Sequence, residues 1–369
     1  MIARFVKANP VFVLAGAAAI VSMFFVPPNA GYTSYIDWRT VGLLLCQIMI
    51  VQGLMESGAF RLLSGRIVRA VCSTRSLSTV LILACFFVSM LVTNDVSLIS
   101  FVPLTILLLS AAGAADLLIP VVVLETIAAN LGSMLMPFGN PQNLYLFNLS
   151  GIPGVQFIGI MLPYTLASLG LLLVSCGFLP KRALAVRGEG ENLSFGRTEK
   201  VEGFGSLVLL AVCILAVFHV GNVPLLLALC IIFFLFADRK VLRRVNYILP
   251  LTFIVFFILT GNIQALPGFS EALSAVIKGH EMFTAVVASQ VISNVPAAML
   301  LSSFTNDYRA LIVGTDIGGL GTLIASMASL ISFQFYCGAE GSKPGKYIGV
   351  FTVLNAAYLL VLLLMAWFL

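Results

Sequence analysis

Thr93-Asn94-Asp95 and Ser293-Asn294-Val295-Pro296 decide how this chain folds. Each is a short polar interruption of a long apolar stretch, and each is followed within a few dozen residues by a second interruption rich in Gly, hydroxyl and amide groups. The first of these runs from Ala129-Asn130-Leu131-Gly132-Ser133 to Pro137-Phe138-Gly139-Asn140-Pro141-Gln142-Asn143, and the second from Gly318-Gly319-Leu320-Gly321-Thr322 to Ser332. A lipid-buried chain leaves helical hydrogen bonds unmade only where protein or a water-filled cavity replaces them, so paired interruptions predict a binding site between two halves.

Composition puts that site in a membrane. Of the 369 residues 60% are hydrophobic and only 9% charged, with a mean hydropathy of +1.09, against roughly a quarter charged in a soluble domain. The longest polar stretch, Lys181 to Gly203, is too short for a sizeable soluble domain. The apolar run Val11 to Val26 lacks a convincing cleavage site and reads as a retained first span. Seven scattered cysteines, without Cys-x-x-Cys spacing and with few histidines nearby, predict packing and no metal site.

The net charge of +5 raises the question of an acidic partner, but its distribution marks one membrane face and predicts no nucleic-acid partner. The basic residues cluster as Arg4 and Lys7; Arg61, Arg66, Arg69 and Arg75; Lys181, Arg182, Arg187, Arg197 and Lys200; Arg239, Lys240, Arg243 and Arg244; Lys343 and Lys346. With these clusters cytoplasmic, only Arg39, Lys278 and Arg309 of the 20 Lys and Arg fall outside. This predicts a multi-pass protein of the cytoplasmic membrane with a cytoplasmic N-terminus and an external C-terminus. Trp38 and Trp367 fall at predicted outer boundaries as interfacial anchors. His219 and His280 lie near outer ends.

The expected fold is all-α and polytopic, with two inverted repeats and about nine full spans plus two hairpins. Residues 1–180 form the first repeat, with a hairpin at 76–112 and a broken helix at 117–147. Residues 181–204 form a cytoplasmic linker. Residues 205–369 form the second repeat, with a hairpin at 282–304 and a broken helix at 311–336. Charge alone leaves 76–112 open between two full spans and a re-entrant pair; the polar tip favours the latter. Leu131-Gly132-Ser133 aligns with Leu320-Gly321-Thr322 at an offset of 189, which sets Asn140 opposite Ser329.

These motifs resemble the ion transporter superfamily, close to the arsenite/citrate-type permeases and the wider anion permeases, whose relatives include dicarboxylate symporters and sodium/proton antiporters. The resemblance covers essentially the whole chain. It implies hairpin tips that hold substrate and often Na⁺ against the facing breaks, elevator-like motion against a scaffold, and a homodimer. Asp95 and Val295 stand where sodium-coupled relatives commonly have Thr, which leaves the coupling ion as H⁺ or Na⁺.

Unwound backbone exposes carbonyls to a cation, and the half-helix after it turns N–H groups toward an anion. The expected substrate- or ion-binding residues are therefore Thr93, Asn94, Asp95, Asn130, Gly132, Ser133, Gly139, Asn140, Gln142, Asn143, Ser293, Asn294, Pro296, Gly319, Gly321, Thr322 and Ser329. Mutual satisfaction of kinked backbone is the competing reading of the same residues. Asp95, Glu125 and Asp316 are the proton-coupling candidates, because an ionised carboxylate at membrane depth is costly without a partner.

The function expected is secondary transport of a small anion or oxyacid (a carboxylate, an inorganic anion or arsenite) by alternating access. The partners are that solute and the lipid bilayer, with no cofactor. Cation/proton antiport is the alternative within the fold. An intramembrane hydrolase using Asp95 and Asp316 is the distant one; neither a Gly-x-Gly-Asp setting, a Gly-x-Ser-x-Gly elbow nor an HExxH helix is present. No Walker-type loop supports a nucleotide-driven pump.

Overall fold

The computed structural model describes residues 9–29, 31–58, 71–183, 197–266 and 268–369. Arg4, Lys7, Arg61, Arg66, Arg69 and Arg187, which entered the charge reading, lie outside the described residues. The described chain is helical, apart from an isolated bridge between Ser73 and Ala183. Large apolar side chains such as Leu14, Leu107, Val174 and Phe236 remain exposed, as a lipid-facing surface requires.

The first half comprises α1 (Pro10–Met23), the short α2 (Tyr32–Tyr35), α3 (Trp38–Glu56), α4 (Thr74–Val92), α5 (Asn94–Ala111), α6 (Leu118–Ser133), α7 (Pro141–Ser150) and α8 (Gly154–Gly177). The second half comprises α9 (Arg197–Val217), α10 (Val223–Ala237), α11 (Arg239–Arg244), α12 (Ile248–Gln264), α13 (Phe269–Ile277), α14 (Glu281–Ile292), α15 (Asn294–Leu301), α16 (Tyr308–Ile317), α17 (Met327–Cys337) and α18 (Pro344–Phe368). A helix pair with a tight tip, a broken helix and a long helix thus occur in the same order twice. The amphipathic α13 has no counterpart among the expected elements.

Both broken helices stop for chemical reasons visible in the chain. Asn140 sits in an extended conformation and its side chain accepts from the Asn143 N–H (2.9 Å), restarting the helix at α7 with Pro141 in its first turn. Gly139 packs so close to the break that a Cβ there would stand 2.0 Å from the Ser133 carbonyl oxygen. Gly132 lets α6 approach α4, since a Cβ would meet the Phe86 carbonyl oxygen at 2.1 Å.

The two helix pairs differ in length. α4 and α5 have 19 and 18 residues, enough to cross a hydrocarbon core, whereas α14 and α15 have 12 and 8 and cannot. Length alone would make the first pair two full spans. Its tip nevertheless ends inside protein, because Asn94 is only 4% exposed and is bonded into α6.

Helix packing divides the molecule into two groups. A frame forms where α3 packs on α9, α10, α11 and α12, with α1 and α2 also against α12. A core forms from α4–α8 and α14–α18. Within the core the halves exchange elements: α7 packs on α15 and α16, while α17 packs on α5 and α6. Frame and core meet mainly through α3 against α7 and α12 against α15.

Candidate functional site

The two tips are built alike. Thr93 (φ 126°, ψ 157°) and Ser293 (φ 75°, ψ 153°) each reverse the chain with one residue, in a region of backbone space that is essentially reserved for Gly. The only other described non-Gly residue with positive φ is His219. Such strain persists only where the surroundings enforce it. Here the Asn94 N–H donates to the Gly139 carbonyl (3.3 Å) and the Asn294 N–H to the Ala325 carbonyl (2.9 Å). Asn94 Oδ1 then accepts from the Asp95 N–H, and Asn294 Oδ1 from the Val295 N–H. Each tip is thereby pinned to its own half's helix break.

The breaks are also bonded to each other, reciprocally. Asn140, which caps α7, donates through Nδ2 to Asp316 Oδ1 on α16 (2.9 Å). Ser326, in the matching position before α17, donates to Asn130 Oδ1 on α6 (3.0 Å). Three pairs therefore share an offset of 186: Asn130 with Asp316, Gly139 with Ala325, and Asn140 with Ser326. The sequence alignment at 189 is corrected by three residues, so Ser329 matches Asn143 and not Asn140. Small residues recur so densely between Gly314 and Ser332 that identity alone slides the register; backbone bonding fixes it.

These contacts join both tips into one network. Asn94 Nδ2 donates to Asn130 Oδ1 (3.1 Å), which also receives Ser326, the neighbour of the residue that pins Asn294. Asn94 and Asn294 are thus linked through Asn130, Ser326 and the Ala325 carbonyl. Asn140 Nδ2 also lies 3.3 Å from the Ser133 hydroxyl, and Gln142 Nε2 donates to Asp316 Oδ1 (3.2 Å). A Cβ on Gly319 would stand 3.0 Å from Asn294 Nδ2, so the glycine keeps the backbone against the second tip.

Four buried side-chain atoms on the helices flanking the two breaks have no hydrogen-bond partner: Asn130 Nδ2, Asn143 Oδ1, Asp316 Oδ2 and Ser329 Oγ. At offset 186 they form two matched pairs. A buried orphan costs about 1–3 kcal/mol, a cost that a ligand or a water bonded there would relieve.

Other predicted residues stand apart from this centre. Gly321 (φ 104°) and Thr322 are held by Gln290, whose Oε1 accepts the Thr322 N–H (2.9 Å) and whose Nε2 donates to the Gly318 and Leu320 carbonyls. Pro296 is buried in the first turn of α15. Glu125 is fully buried among α4, α5 and α6, accepting from the Thr105 hydroxyl on one oxygen while its Oε2 has no hydrogen-bond partner. Asp95 lines a cavity of about 270 Å³ with Thr93, Gln47, Gln52, Pro141, Met327 and the basic-turn residue Arg244. A second cavity of about 570 Å³, lined almost wholly by apolar side chains, lies between α1 and α12 of the frame and Ser293, Ile324 and Met327 of the core.

Sequence reading missed Ser326, Gln290 and Gln47, whose side chain donates to the Phe138 carbonyl. It also missed the pairing of Arg244 with Glu56 at the cavity edge (2.6 Å). Ser326 and Gln290 were legible as polar residues in apolar surroundings beside already suspected breaks. Glu56 and Arg244 are 188 residues apart, and nothing local announces their meeting.

A multi-pass, almost wholly apolar helical chain with paired breaks and pinned tips around a buried polar centre defines a membrane transporter, not an enzyme. Residues 1–307 match the citrate transporter family, CitMHS, and the chain belongs to it. It is 32% identical over 319 residues to the inner membrane protein YbiR of Escherichia coli (strain K12), covering 84% of this chain and 83% of that one. Identity to the uncharacterized transporter MJ0456 of Methanocaldococcus jannaschii is 29% over 331 residues, covering 89% and 88%. The silicon efflux transporter LSI3 of rice, Oryza sativa subsp. japonica, is 30% identical over 166 residues, which is 44% of this chain and 33% of that protein.

Proposed function

We propose that this chain is a secondary active transporter of the cytoplasmic membrane that moves a small oxyacid or anion, driven by H⁺ or Na⁺. The observation carrying this reading is the set of four unpartnered buried polar atoms where both tips and both breaks converge. Among solutes, a neutral hydroxylated oxyacid such as arsenite fits better than a polycarboxylate. Among the described residues no Lys, Arg or His is hydrogen-bonded to the central network, and Asp316 lies within it, so a multiply charged anion would meet no countercharge there. The silicon efflux transporter among the relatives agrees with that preference.

Alternating access follows an elevator scheme in this reading, with the core sliding along the frame. The sparse frame–core contact and the two cavities on that boundary support it. The cavity at Thr93 reaches the basic turn at Arg244, which the charge rule puts in the cytoplasm, so this conformation is read as inward-facing. The repeats are inverted, the N-terminus is cytoplasmic, the C-terminus is external, and two copies associate as the family resemblance implies.

Cation/proton antiport is the second reading, favoured by Asp316, whose hydrogen-bond partners are neutral amides. The test is flux in proteoliposomes containing the purified chain, with arsenite, silicic acid, phosphate and citrate offered separately under H⁺ and Na⁺ gradients. Accumulation of arsenite or silicic acid above empty liposomes is expected. Cation exchange with no solute flux would replace the first reading by the second, and neither flux would sink both.

A further inference from the structure

Arg39 stands outside the basic clusters, and the central network makes no use of it. It lies in the first turn of α3, while Glu56, which pairs with Arg244, ends the same helix. The 19 residues of α3 span about 28 Å, close to the hydrocarbon thickness of a bilayer. Arg39 therefore marks the membrane edge of the frame opposite the basic turn.

At that edge Arg39 lines a cavity of about 430 Å³ between α3 and α10, with Trp38, Asn222, Pro224 and Leu227. Its guanidinium is held in place but not neutralised. Nη2 donates to the Ala216 carbonyl in the last turn of α9 (2.6 Å), Nε is buried without a partner, and among the described residues no carboxylate pairs with it. The adjacent Asp37 is committed elsewhere: its carboxylate accepts from the Arg39 and Thr40 N–H groups and from the Thr40 hydroxyl. His219, in the turn between α9 and α10, is held below the usual imidazole range by partial desolvation and by the Arg39 charge, so it adds no second cation at neutral pH. Asn222 spends Oδ1 on the Leu225 N–H (3.0 Å) in capping α10, which leaves its Nδ2 to donate.

These features select the ligand. One uncompensated guanidinium fits a singly charged phosphodiester, whose oxygens it meets as a planar fork; a doubly charged anion would keep an excess charge at the edge of the bilayer. The surroundings suit an amphiphile. The Trp38 indole N–H donates to the Thr33 carbonyl (3.2 Å) and its ring is 57% exposed, the placement of an interfacial anchor. Below Pro224 on the same face of α10, Ala228, Ile231 and Leu235 follow at helical spacing and are all exposed. An apolar track thus continues from the cavity into the lipid-facing surface.

We infer that this end of the frame is a phospholipid site, in which Arg39 and Asn222 hold the phosphodiester and an acyl chain lies along α10. The site is remote from the tips and breaks and does not depend on which solute is moved.

The test uses the purified full-length chain in detergent. Tm is followed as dioleoylphosphatidylglycerol, dioleoylphosphatidylethanolamine or dioleoylglycerol is added to the micelles, and separately as glycerol phosphate or inorganic phosphate is added without lipid. Both phospholipids are expected to raise the wild-type Tm, and the phosphate-free dioleoylglycerol is not. Arg39→Gln is expected to raise the half-maximal phospholipid concentration about tenfold, as loss of a charge-assisted pair requires. Arg39→Lys, which keeps the charge without the fork, is expected to raise it about threefold. Leu227→Trp fills the cavity while leaving Arg39 in place, and is also expected to weaken the response; it carries the test if Arg39→Gln does not fold. An equal response to dioleoylglycerol would reduce the effect to apolar packing, and an equal response to glycerol phosphate or inorganic phosphate would make the ligand a soluble anion; either overturns the inference. A wild-type response in both Arg39→Gln and Leu227→Trp, or no response of the wild type, would overturn it as well. A halved mass on size exclusion in Arg39→Gln, with the lipid response retained, would give the cavity to a second copy of the chain.

Discussion

At the first break an amide, Asn130, occupies the place that a carboxylate, Asp316, holds at the second, and the capping residues differ in the complementary sense, Asn140 against Ser326. The backbone geometry is shared: strained tips, a tip N–H on a break carbonyl, and a cap reaching across to the other half. The difference lies in charge. The same framework thus presents an unpartnered carboxylate oxygen at one break and an unpartnered amide nitrogen at the other.

Removing the shared acceptor of the first half is the most damaging way to break this comparison. Asn130→Leu leaves Asn94 Nδ2 and the Ser326 hydroxyl buried without a partner, at about 1–3 kcal/mol each. Solute flux in proteoliposomes is expected to fall about 100-fold or more, with a lowered Tm. Wild-type flux would show that the halves are not bonded through this residue.

Close packing gives the next contrast. Gly132→Ala drives a Cβ to 2.1 Å from a backbone carbonyl, whereas in Gly319→Ala the nearest atom, at 3.0 Å, is the mobile amide of Asn294. The first is expected to cost about 1–3 kcal/mol in thermal stability. The second leaves Tm near wild type and lowers flux by about tenfold, the equivalent of one displaced hydrogen bond. Equal losses of Tm would remove the distinction between a packing glycine and a tip glycine.

The tips should respond alike. Thr93→Gly and Ser293→Gly relieve backbone strain and are each expected to stabilise by about 1 kcal/mol, net of the added unfolded-state entropy, while slowing flux because the tip amide is less firmly held. Thermal melts in detergent check this, and destabilisation in both variants would refute the strain.

How far the site was readable depends on the range of each signal. Asn94, Asn294, Asn140 and Asn143 stand out because an amide within an apolar run has few structural uses in lipid. The pairing of Asn140 with Asp316 was not readable, since 176 residues separate them and each has several polar neighbours. Nor was the register of the second break, where repeated Gly, Ser and Ala fit several alignments equally well. Glu125 looked like Asp316 in sequence, but one meets a threonine inside a helix packing face and the other meets three amides at the opposite break.

The chain by itself determined the solvent, the helices, the two tips and the places where the helices break. These follow from local quantities: transfer free energy summed over a span, and the inability of Pro, Gly and clustered amides to continue a lipid-buried ladder. Only tertiary structure decided which break faces which tip and which buried atoms remain unpartnered. Those depend on how α7 and α17 cross into the opposite half, a packing outcome that no single stretch encodes.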